Sequence, residues 1–105
     1  AMIVEERIYT LVPGKVSEMV KLYGEEGLAL QRRHLGKFIG YFSTETGNLN
    51  QVVFMWGYDS LDDRAARRER LARDPEWLRY LQKAVQLIVT QENRILKPAP
   101  FSPIR

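Results

Sequence analysis

Hydrophobic positions along the chain recur with two periods, two residues and three to four residues, and the points where the period switches divide it into elements. From Ile3 to Val12 the period is two. Val4, Ile8 and Val12 fall on one face, and Ile3, Glu5, Arg7, Tyr9 and Leu11 on the other, half-polar one. Pro13-Gly14 then supplies the fixed φ and the positive φ of a type II turn. Val16, Met19, Val20 and Tyr23 follow at helical spacing, predicting an amphipathic helix whose second half Gly24 and Gly27 weaken. A break near Gly27 is expected, with a short helical turn through Leu28 and Leu30 to Gln31.

Leu35 to Thr44 alternates again, Ile39 and Tyr41 against Phe38 and Phe42, with Gly36 and Gly40 on the latter face, where they permit a bulge or a close backbone approach. Gly47-Asn48 is turn chemistry, so this strand and the next form an antiparallel hairpin. Gln51 to Tyr58 is apolar on both faces, Val53 and Met55 against Val52, Phe54, Trp56 and Tyr58, the pattern of a central strand covered on two sides. Ser60 and Asp63 resemble a capping box, opening a helix with the inner stripe Leu61, Ala65, Arg68, Leu71 and Ala72; Arg68 is expected to lay its methylenes on the core edge and its head in water. Asp74-Pro75 restarts the helix, and Trp77, Leu78, Leu81, Ala84 and Val85 carry it to about Leu87. Ile88 to Leu96 returns to a strand, and residues 97–105, with three prolines, read as an extended arm.

Strand, helix, strand, strand, helix pair, strand is the order of an α+β, ferredoxin-like βαββαβ fold, with the helices on one face of an antiparallel sheet. Residues 1–105 form one domain, and a domain of this length buries only about 60 to 65% of its unfolded surface. The sheet face opposite the helices is expected to carry Tyr9, Leu11 and one apolar side of the central strand. Nothing else in the chain covers it, so a second copy is expected to pack sheet against sheet as a homodimer.

Composition narrows the classes further. There are no cysteines, hence no disulfides, thiolates or cysteine metal sites, and the start shows neither signal peptide nor membrane anchor; the expectation is a cytoplasmic protein with no membrane partner. The net charge of +3 is dispersed. In the arginine-rich segment 59–73, five arginines face four acids at spacings such as Asp63 to Arg67 and Glu69 to Arg73, a solvated helix face, so no nucleic-acid partner is expected.

Five short motifs in order resemble one family. They are Ile3 to Leu11 with Pro13-Gly14-Lys15, Gly40-Tyr41-Phe42, Leu49 to Val53 with Trp56 and Tyr58-Asp59-Ser60, Asp74-Pro75-Glu76-Trp77, and Asn93-Arg94-Ile95-Leu96 with Pro98. Together they are similar to the NIPSNAP family over nearly the whole chain. The resemblance implies a dimeric α+β barrel. It implies little about activity: animal members are linked to mitochondria and to vesicle or signalling roles. Related barrels include cofactor-free quinol monooxygenases, lactone isomerases and haem-dependent dismutases, whose chemistry does not follow from a shared architecture. Family members often carry His where this chain has Phe54, which removes one acid-base or ligand group.

His34 is the single histidine, beside Arg32 and Arg33 at a helix end, and reads as a surface cation; no metal site and no cofactor is expected. Glu5 and Glu6 are strand neighbours that face opposite ways and cannot share a substrate atom. The sharper set is Arg7, Tyr9, Tyr41, Asn50, Gln51, Trp56, Tyr58 and Arg94. Tyrosine, tryptophan and asparagine around an apolar cavity hold a planar phenol or quinol by hydrogen bonds and stacking, while the same residues also serve as cross-sheet packing. Two readings result: a module of unassigned role binding a small apolar or aromatic ligand between sheet and helices, or a small cofactor-independent monooxygenase or isomerase acting on an aromatic or a lactone. Filling of that space by Phe54, Trp56 and Leu71 would leave the enzyme without a site.

Overall fold

The structure is a computed structural model describing residues 2–105. Its strands are β1 (Ile3–Leu11), β2 (Lys37–Ser43), β3 (Gln51–Tyr58) and β4 (Ile88–Leu96). Between them run α1 (Val16–Leu22) and α2 (Leu28–His34), then α3 (Leu61–Ala72) and α4 (Pro75–Ala84). The strands form one antiparallel sheet in the order β2-β3-β1-β4, and the helices lie on one face of it. This is the α+β arrangement that the element order predicts. Residues 97–105 carry neither helix nor strand.

The β1–β3 register sets which side chains lie under the helices. Ile3, Glu5, Arg7 and Tyr9 stand opposite Tyr58, Trp56, Phe54 and Val52, so these eight residues share the covered face. Tyr9 and Leu11 therefore do not lie on the open face: Leu11 is buried and Tyr9 packs edge-on to Phe54. The open face carries Ile8, Val53, Met55 and Phe42 instead, Phe42 being 54% exposed. A bulge between Phe38 and Gly40 accounts for a second departure, since the extra residue turns both Phe38 and Tyr41 inward, opposite Trp56 and Phe54, and leaves Phe42 outward.

The chain does not break at Gly27. Tyr23–Gly27 form a π-helical turn joining α1 to α2, and Gly27 keeps helical dihedrals. The glycine serves packing. A Cβ there would stand 2.6 Å from Tyr80 Cζ and 2.9 Å from the Tyr23 ring, so its absence lets this helix close onto α4. Ser60 caps α3 through the Asp63 amide, and Asp74 caps α4 through the Glu76 amide, as the sequence signals predict. The inner face of α3 differs from the predicted stripe. Leu61 is 58% exposed, Ala65 and Ala72 are exposed, and Arg64, Arg67, Arg68 and Leu71 turn toward the sheet.

Candidate functional site

The helices do not fill the space above the sheet. Trp56 and Leu71 are fully buried and close one part of it, whereas Phe54 lines a cavity of about 630 Å³ between β1, β3, the first helix and α4. Its floor is Arg7, Tyr9, Tyr41 and Phe54; its walls include Met19, Tyr23, Gln31, Arg68, Trp77 and Tyr80. Leu78 and Leu81 of α4, with Val85 just beyond its end, are all substantially exposed and form its rim. Six aromatic side chains line it, because β1, the π-helical turn, β2, β3 and α4 deliver rings to one point. Tyr23 stacks on Tyr41 at 4.4 Å, Tyr41 on Phe54 at 5.1 Å, and Trp77 on Tyr80 at 5.0 Å.

The predicted site residues separate into groups. Arg7, Tyr9 and Tyr41 meet in this cavity. Trp56 is in the core with no exposure, and Tyr58 borders a different cleft with Asp59 and Asp63. Asn50 gives its carbonyl to the Leu11 amide, and Gln51 donates across to the Thr10 hydroxyl. Arg94 pairs with Glu6 across β1 and β4, on the face away from the helices. Sequence reasoning omitted Tyr23, Gln31, Trp77 and Tyr80 from the set. The Tyr23 hydroxyl donates to Gln31 Oε1 at 2.5 Å, eight residues on, a spacing the π turn makes possible. A buried glutamine in an otherwise apolar helical stripe is the signal that was there to read.

Beside the cavity lies a buried ionic cluster that the candidate set also lacked. Glu5 has no exposure, and its Oε2 accepts from Arg7 Nη1 at 3.0 Å, Arg64 Nη2 at 2.6 Å and Asn93 Nδ2 at 2.7 Å. Burial alone would raise its pKa. The hydrogen bonds from Arg64 and Asn93 and the charges of Arg7 and Arg64 outweigh that and pull it down to about 2, so the carboxylate is ionised. Arg7 Nε donates to the Tyr9 hydroxyl at 3.0 Å. Burial pushes the hydroxyls of Tyr23, Tyr41 and Tyr80 well above the usual phenol range, which keeps them neutral donors. Arg68 does not place its whole head in water: Nη1 is buried against the Tyr58 hydroxyl, a neutral partner, and no carboxylate reaches it.

His34 is less solitary than its sequence neighbourhood suggests. Its Nε2 lies 2.8 Å from Asp74 Oδ2, which also accepts from Arg33, so this cluster ties the end of α2 to the cap of α4. Among the described residues, no three His, Asp or Glu side chains converge as a metal-ligating group, and no helix is long and apolar enough to cross a membrane.

The same architecture recurs in known proteins. A cofactor-independent oxygenase from Streptomyces nogalater, SnoaB, covers 97% of both chains at TM-score 0.66 with 16% identity, a likeness of fold alone. A NIPSNAP family protein from Agrobacterium tumefaciens is far more similar, at TM-score 0.97 and 54% identity over 100% of both chains. The human protein NipSnap homolog 3B is 41% identical over 69 residues, 66% of this chain but 28% of its own length, so the chain spans well under half of that relative. The NIPSNAP family model matches residues 4–103. A family match that runs from β1 to the C-terminal arm, with a solved NIPSNAP fold 54% identical over the whole chain, shows that this chain belongs to the NIPSNAP family.

Proposed function

We propose that the protein is a binding module that takes a small aromatic or apolar molecule into the cavity between sheet and helices, and that it works as a homodimer. The cavity carries the proposal: about 630 Å³ lined by Tyr9, Tyr23, Tyr41, Phe54, Trp77 and Tyr80, a size and chemistry suited to a planar ligand. Binding is favoured over catalysis by the acid-base character of the site. A general base works best with a pKa near the working pH. Glu5 is held at about 2 and the buried tyrosines are pushed up, so these groups are poorly matched to moving a proton at neutral pH. For the monooxygenase or isomerase reading, the substrate itself would have to supply the base.

The dimer is supported by the open sheet face, where Ile8, Phe42, Val53 and Met55 form one apolar surface. A cytoplasmic location belongs to the same proposal, and a cysteine-free chain is compatible with it. The test of binding is a titration with 2-naphthamide followed by amide chemical shifts. Shifts gathered on residues around Tyr23, Tyr41 and Trp77 are expected; an unchanged spectrum, or shifts confined to the outer sheet face, would defeat the reading. Light scattering that gave the 12.3 kDa monomer at micromolar concentration would remove the dimer.

A further inference from the structure

Under α3 lies a local excess of positive charge. Arg7 and Arg64 pair with a single buried carboxylate, Glu5, and Arg68 adds a third positive charge nearby at the Tyr58 hydroxyl. The hydrogen bonds are equally unbalanced. Arg64 Nε is a buried donor with no acceptor, and Arg68 Nη1 has only the neutral Tyr58 hydroxyl beside it and no carboxylate. Buried polar groups are ordinarily paired, and an uncompensated buried guanidinium is costly. Arg64 and Arg7 share Glu5, but Arg68 has no acid within a helical turn: Arg64, Ala65, Leu71 and Ala72 stand three and four residues away. Of Arg64 and Arg68, it is Arg68 that lines the aromatic cavity.

From this juxtaposition we infer that the ligand is an aromatic carboxylic acid, with its rings among Tyr41, Phe54 and Trp77 and its carboxylate on the Arg68 guanidinium. This rests on the proposed binding role of the cavity and adds the class of ligand. A carboxylate matches the planar donor fork of arginine, supplies the missing negative charge, and gains strength from the low polarity around it. Arg7 is a weaker candidate for the same duty, since Glu5 and Tyr9 already occupy its Nη1 and Nε. The apolar remainder of the lining holds the ring system, so head and body are recognised at different ends of one cavity.

Calorimetric titration of the full chain at pH 7 with 2-naphthoate and with 2-naphthamide, which has the same ring system and no charge, separates the two ideas. The acid is expected to bind roughly tenfold or more tightly than the amide, the value of one charge-assisted hydrogen bond. In Arg68→Gln that preference is expected to vanish, and in Arg68→Lys part of it should remain. Equal binding of acid and amide to the unmodified protein overturns the carboxylate inference and leaves the cavity reading intact. If neither binds, both fall. A preference for the acid that survives in folded Arg68→Gln, its folding checked by thermal melting, removes Arg68 from the role; the comparison on the unmodified protein does not depend on that variant.

Discussion

The space between sheet and helices has two halves built on different physics. Under the first helix and α4 the contacts are rings and methylenes, with the Tyr23–Gln31 hydrogen bond as a self-contained polar pair. Under α3, Arg64 turns inward onto Glu5 and Arg68 onto the Tyr58 hydroxyl, so guanidiniums replace apolar contacts. The first half closes by apolar burial, which tolerates imperfect geometry, and is open only where rings leave a cavity. The second is held by few, directional contacts, and losing one leaves a charge stranded. Stability should therefore be concentrated at Glu5, while ligand specificity should be concentrated where the two halves meet, at Arg68 and Arg7.

The sharpest way to break the contrast is Glu5→Gln, which strands the guanidiniums of Arg7 and Arg64 and is expected to cost about 3 to 5 kcal/mol in urea unfolding. A loss within the range of an exposed substitution would mean that the arginines are solvated and the two halves are alike. Acid titration probes the same carboxylate without mutation. Its folded value of about 2 lies below the ordinary 4.5, so its contribution is complete above pH 4.5 and is lost as pH falls toward about 2. Glu5→Gln should flatten that part of the stability-pH profile, and an unchanged slope would separate Glu5 from acid unfolding.

Among apolar contacts, Leu71→Ala is expected to cost about 2 to 5 kcal/mol, since Leu71 is the buried aliphatic residue that α3 sets beside its arginines. Gly27→Ala should come next, at about 1 to 3 kcal/mol, because the new methyl meets the Tyr80 ring. In a Tyr80→Leu background, that cost should shrink or reverse toward the ordinary helical preference for alanine. A Gly27→Ala variant as stable as the parent would show that the α4 contact yields. Leu61→Ala is the smallest change, within about 0.5 kcal/mol, since Leu61 is largely exposed. A large loss there would restore the predicted inner stripe of α3 and undo the arginine-facing arrangement.

Local signals were legible where their cause is local. Period-two and period-3.6 patterning gave the four strands and the helices, and capping chemistry gave the starts of α3 and α4, because backbone hydrogen bonds and caps involve residues a few positions apart. The α+β class follows from their order. Which faces are covered was decided elsewhere. The β1–β3 register pairs Tyr9 with Val52 and Glu5 with Trp56, and the β2 bulge turns Tyr41 inward; a shift of one residue would send each to the opposite face. Of the eight candidate residues, register brought Arg7, Tyr9 and Tyr41 to one cavity and carried Arg94 and Gln51 away from it.

Hydropathy also misassigned α3, because it scores each residue by its own cost of burial and ignores what waits on the sheet. Arg64 turns inward because Glu5 is there, 59 positions earlier in the chain, while Leu61, the first residue of α3, stays largely exposed. The sequence by itself determined the elements, their order and the family resemblance, since those rest on periodicity and short-range chemistry. Only the tertiary structure decided the cavity, the buried ion cluster and the Arg68 that no carboxylate reaches, because each depends on side chains from separate elements meeting at hydrogen-bond distance.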